Sequence, residues 1–151
     1  MKSLAFVGIG NPLVGDDGVG PAALQRLEGV WGTHPEIIFI HLETDLFSLE
    51  NHLERAKRFV FLDAIAGDKP GEIFQVQAYH RGFAPSFHQT DLFQVMHLLQ
   101  DSNNFSSFPE WEVWGVVIEP PVEFNIGLSP RISESVNDLC QILHKQIPLW
   151  L

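Results

Sequence analysis

SLAFVGIGNPLVGDDGVGP, residues 3–21, decides how the chain folds. Its first seven residues form a nearly continuous apolar run, the pattern of a strand buried on both faces. From about Gly18 the apolar positions Val19, Ala23, Leu24, Leu27 and Val30 recur at helical spacing. Pro21 fits a first turn, where its missing N–H would have had no intrahelical partner. A buried strand, a glycine-rich turn and a helix make the first unit of an α/β fold.

The same alternation continues outward from this unit. EIIFIHL (36–42) reads as a strand, Leu46 to Arg58 as an amphipathic helix with Leu46, Leu49, Leu53 and Ala56 on one side, and RFVFLDAI (58–65) as a third strand. After the DKPG turn, EIFQVQAY (72–79) alternates apolar and polar, as a strand with one wet face does, and is expected at an edge. The loop HRGFAPSFHQ (80–89) leads to Thr90, an N-cap for a helix carrying Leu92, Phe93, Val95, Met96 and Leu99. WEVWGVVIE (111–119) is a further strand, and Ser129 with Pro130 opens a last helix as N-cap and first-turn proline. The expected fold is a three-layer α/β sandwich: a mostly parallel twisted sheet with one antiparallel edge strand, helices on both faces, and one domain over residues 1–151. Such sheets bind ligands at the carboxyl ends of their strands, beside the point where strand order reverses. The glycine loop, Asp63 and the 80–90 loop all map to that edge.

The charge balance narrows the partners. Nineteen acids against nine bases give a net charge of −10. Nucleic acid and anionic membranes both require a cationic face, so neither is expected as a partner. The opening apolar run is broken at once by Asn11, Pro12 and two acids, too soon for a signal-peptide core. No run approaches the roughly 20 apolar residues that span a bilayer. One cysteine, Cys140, excludes an internal disulfide, and a cytoplasmic location is the expectation.

The glycine loop does not hold a nucleotide. Gly8 and Gly10 fit a dinucleotide fingerprint, but its third glycine position is Leu13, and Gly15 is followed by Asp16 where a Walker loop needs Gly-Lys. Two carboxylates at a helix N-terminus also repel phosphate. One acid there is accounted for by capping. The second, expected on an exposed turn, invites a functional reading. Asp63, ending the apolar run RFVFL, strengthens it, because an acid at that edge needs a partner or a metal to offset its desolvation. Two acids after the first strand and one after the third also suit a phospho-acceptor receiver. That reading requires a lysine at the end of a late strand, where this chain has Glu119.

Among the histidines, His34, His52, His97 and His144 fall on surface or helix positions. His88 sits in the loop ahead of Thr90, on the same edge as the acids. Spacing alone leaves it open between a solvated loop histidine and the third member of a carboxylate, carboxylate, imidazole set suited to Ni²⁺ or Zn²⁺. Cys140 lies on the apolar stripe Ile132, Val136, Leu139, Leu143, Ile147 and reads as core. Neither a G-x-S-x-G elbow nor an H-E-x-x-H pair occurs.

With these residues in view the chain resembles the hydrogenase maturation endopeptidases, which trim the C-terminus of the large subunit of nickel–iron hydrogenases. GIGNPLVGDDGVG (8–20), FLDAI (61–65), FHQTDL (87–92), and WGVVIEP with NIGLSP between 114 and 130 carry the likeness, which spans nearly the whole chain. The resemblance implies that Asp17, Asp63 and His88 are the nickel-sensing and catalytic positions, with Asp16 in a supporting role. It implies that nickel is supplied by the substrate, a [NiFe]-hydrogenase large-subunit precursor, and a monomeric enzyme is expected. One segment departs from the family. Where an acidic, glycine-rich turn ending in Gly-Thr is common, this chain has His41, Leu42, Glu43, Thr44 and Asp45, either a neutral replacement or a selector of the hydrogenase processed. The alternative function is a small metal-binding or metal-delivery accessory protein without peptidase activity.

Overall fold

The computed structural model describes residues 1–77, 87–121 and 124–151, with the side chains of 77 and 87–91 outside the description. Five strands, β1 (Lys2–Ile9), β2 (Ile37–Glu43), β3 (Ala56–Ala66), β4 (Ile73–Gln77) and β5 (Glu110–Ile118), form one sheet in the order β2-β1-β3-β5-β4. β1 pairs in parallel with β2 and β3, and β3 with β5, while β4 is an antiparallel edge strand on β5. The alternating pattern of residues 72–79 had placed that strand at an edge, and there it lies.

Period-2 alternation divides the core. Leu4 and Phe6 of β1, with Val60 and Leu62 of β3, face a layer built by α1 (Val19–Trp31) and α3 (Pro130–Trp150). Ala5, Val7, Phe59 and Phe61 face the opposite layer, which holds α2 (Phe87–Asp101) and a 3-10 turn at Leu46–Asn51. Both faces of β1 are covered, which is why its run is apolar throughout. Val19, Ala23, Leu24 and Leu27 of α1 are buried as their spacing predicts, whereas Val30 is exposed.

The helix expected over Leu46 to Arg58 is replaced by the 3-10 turn Leu46–Asn51, and β3 starts at Ala56. Leu49, Leu53 and Ala56 are buried all the same. Residues 56–58 pair with Lys2 and Leu4 on one side and, through Arg58, with Glu110 on the other. Pairing on both edges outweighs the weak helical pattern of that stretch. Similarly, α2 starts at Phe87, so Thr90 lies within the helix instead of capping it, and His88 lies in the first turn and not in a loop. Capping potential is a local preference, and helix geometry already established upstream overrides it.

Candidate active site at the carboxyl edge of the sheet

The loop after β1 is shaped by close backbone approach. Gly10 has φ +134°, and a Cβ there would collide with the carbonyl of Asp17. A Cβ on Gly20 would collide with the carbonyls of Ile9 and Leu62, so the first turn of α1 is wedged against the ends of β1 and β3. Between these glycines the chain makes the 3-10 turn Gly15–Gly18, which packs on β3.

Asp17 sits inside this turn and is only 4% exposed, a correction to the exposed position expected from sequence. The physical reason is the wedging of α1, which draws the turn under the loop. Its Oδ2 accepts the backbone N–H of Asn11 at 2.8 Å. Asp16, half-buried, has a different task. Its carboxylate accepts the N–H of Ser129 at 2.7 Å and the Ser129 hydroxyl at 2.9 Å, tying the turn to the start of α3. Ser129 holds the N-cap position before Pro130, as predicted, but makes no side-chain capping bond.

Asp63 is fully buried and does not end its strand, since β3 continues to Ala66 in register with Ile118. Its pairing to β1 stops one residue earlier, at Gly8↔Leu62. From Asp63 onward the β1-facing edge of β3 is therefore free of that ladder, and the α1 turn occupies the space. Asp63 Oδ1 accepts the N–H of Ala64 at 2.8 Å. Alternation places its side chain on the same face as Phe59 and Phe61, the α2 face. Opposite it on β5 is Gly115, where a Cβ would collide with the Asp63 carbonyl and crowd the Phe74 ring.

α2 runs toward the amino edge, with Phe93 and His97 against Trp111 near the start of β5. At about 1.5 Å of rise per residue, its first turn, which contains His88, lies farther toward the carboxyl edge. The side chain of His88 falls outside the described residues. Among the described residues, no group of three or more His, Cys, Asp or Glu could hold a metal ion alone.

The segment 41–45 adjoins the loop. The N–H of Gly10 donates to the Glu43 carbonyl at 2.8 Å, and Glu43 itself adopts φ +57°. His41 Nε2 lies 2.9 Å from Glu28 Oε1 on α1, and Leu42 is buried on the other face. Cys140 is buried against α1, and burial pushes its thiol up to about 11, so it is a neutral core residue and not a nucleophile. Sequence reasoning missed Asn11 and Gly115 as partners of the two acids. Asn11 was visible only as a strand breaker, and Gly115 only as a glycine inside a strand, a known mark of close approach.

No helix among the described residues is long and apolar enough to cross a membrane. The family model HycI, described as hydrogenase maturation protease, matches residues 23–146, a span that contains Asp63 and His88 and begins after Asp17. No curated protein matches by sequence. Among solved structures, the chain is similar to the [NiFe] hydrogenase maturation protease HybD from Thermococcus kodakarensis, with 26% identity, a TM-score of 0.78, and coverage of 96% of this chain and 98% of that one. It is also similar in fold to the hydrogenase maturating endopeptidase HybD from E. coli, with 22% identity, a TM-score of 0.79, and coverage of 98% and 93%.

Proposed function

The chain belongs to the hydrogenase maturation protease family, and from that premise we propose that it removes the C-terminal peptide of a nickel-loaded [NiFe]-hydrogenase large-subunit precursor. One observation supports this reading above the rest. Asp17 and Asp63 are buried acids from separate elements that meet the carboxyl edge of the sheet on either side of the wedged α1 turn. Each has an oxygen held by a backbone N–H, an arrangement that orients a carboxylate while leaving it its negative charge. In this proposal nickel is part of the substrate, carried in by the precursor. Asp17, Asp63 and His88 contact it and thereby position the precursor for hydrolysis. Two carboxylates and an imidazole suit a borderline divalent ion, and a set this small leaves coordination positions for ligands from the precursor. The neutral, buried Cys140 points away from a thiol protease.

The test is mass spectrometry of a nickel-loaded precursor after mixing with the enzyme. A protease shortens the precursor at one site, and a metal-delivery protein leaves its mass unchanged. Asp17→Asn and His88→Ala should both abolish shortening. Asparagine is the cleaner change at Asp17, because alanine would strand the buried Asn11 N–H at a cost of about 1–3 kcal/mol. Full processing by a folded Asp17→Asn enzyme would remove that residue from the site.

A further inference from the structure

Beside the carboxylate loop lies an apolar surface that the site described above does not use. Residues 124–126 run alongside the loop, with a parallel bridge between Val14 and Asn125. The N–H of Gly15 donates to the Asn125 carbonyl at 2.6 Å, and the N–H of Asn125 donates to the Leu13 carbonyl at 3.0 Å. A few residues on, Ser129 is held by Asp16. The segment is thus fastened to the Asp16–Asp17 turn at two points. Phe124 and Ile126 flank Asn125 and are 84% and 83% exposed, and Leu13 beside them is 52% exposed. With Asn125 the three line one open cavity. Ile126 also walls a second groove, shared with Pro12, Pro21 and His41, so the surface is continuous with the 41–45 segment.

Singly exposed apolar residues are ordinary, but three that share one cavity on a hydrogen-bonded scaffold mark an interaction surface. We propose that Leu13, Phe124 and Ile126 form a docking surface for an apolar stretch of the precursor protein, a proposal that rests on the substrate reading above. Size separates this occupant from a second copy of the chain. A patch of this kind spans at most a few hundred Å². A stable dimer of standard size buries about 800 Å² per partner. Position agrees, because whatever covers this surface also lies against the turn that carries Asp17. A transient protein substrate meets both conditions, whereas a permanent partner there would obstruct the carboxyl edge.

The experiment is steady-state processing of full-length nickel-loaded precursor, followed by its mass change across precursor concentrations. The expected result for Phe124→Ser/Ile126→Ser is a KM at least tenfold higher, with kcat within twofold of the parent and an unchanged melting temperature. Leu13→Ser should raise KM to a smaller extent, and it provides a second variant if the first melts early. Leu149→Ser, an exposed residue near the end of α3, should change neither constant. An unchanged KM in both folded patch variants overturns the proposal. So does a parent that sediments as a dimer which the patch variants convert to monomer without altering KM. A parent that never shortens the precursor sinks the substrate reading itself, a different result from a parent and patch variant that cleave equally well.

Discussion

Glu112 and Asp63 are both buried acids, on neighbouring strands of one sheet and three residue pairs apart in the β3–β5 register. They are held in opposite ways. Glu112, near the amino edge, receives Arg58 Nη1 at 2.7 Å, Gln75 Nε2 at 2.7 Å and Trp114 Nε1 at 2.9 Å. Arg58 also pairs with Glu110 and lies over the Trp150 ring. Three side chains from three strands saturate the Glu112 carboxylate and fasten the sheet. Asp63, on the other face and toward the carboxyl edge, accepts the N–H of its own neighbour, Ala64. A guanidinium neutralises a buried carboxylate, whereas an amide only aims it. The contrast teaches that burial alone does not separate a structural acid from a working one; the kind of partner does.

The comparison can be broken by exchanging charge at each end. The largest effect is expected from Arg58→Met, which leaves Glu112 buried without its cation and should cost about 3 kcal/mol in urea unfolding. Processing per folded molecule should be unchanged. Asp63→Asn should do the reverse, abolishing processing while leaving stability unchanged or raising it by about 1 kcal/mol, as removal of a functional buried charge often does. If Asp63→Asn destabilises as strongly as Arg58→Met, Asp63 is a structural acid and the contrast collapses.

A smaller effect sharpens the assignment within the acidic pair. Asp16→Ala loses both bonds to Ser129 and should lower stability by about 1 kcal/mol, with processing retained. Loss of processing in Asp16→Ala together with retention in Asp17→Asn would show the ligand role to be displaced by one residue.

The smallest effect belongs to the neighbouring strand end. Glu43 occupies a left-handed backbone region that glycine adopts without strain, and the turn common in the family ends in Gly-Thr. Glu43→Gly in front of Thr44 should shift stability by less than about 1 kcal/mol. Replacing all of 41–45 with the glycine-rich turn should change the ratio of cleavage rates on a cognate and a non-cognate precursor. An identical ratio would make the segment a neutral replacement.

What the sequence by itself determined is the layered α/β plan. SLAFVGI and RFVFL are continuous apolar runs, and only a strand covered on both faces needs that. The alternation in EIFQVQ marked the antiparallel edge. The position of two acids and the opening of the last helix at Ser129–Pro130 could likewise be read along the chain, because each depends on near neighbours. Tertiary structure decided the rest. Residues 46–58 carry a helical stripe, yet strand pairing on both sides claimed residues 56–58. Asp17 reads as a turn residue, yet it is buried because Gly20 lets α1 press against carbonyls of β1 and β3, contacts 11 and 42 residues away in sequence. Asp16 reads as a helix cap, yet it reaches Ser129, 113 residues on. Glu112 in WEVWG carries no sign of its arginine, which arrives from β3. Local periodicity records which face of an element is covered, but the identity of the atom doing the covering is set by chain segments that meet only once the sheet has formed.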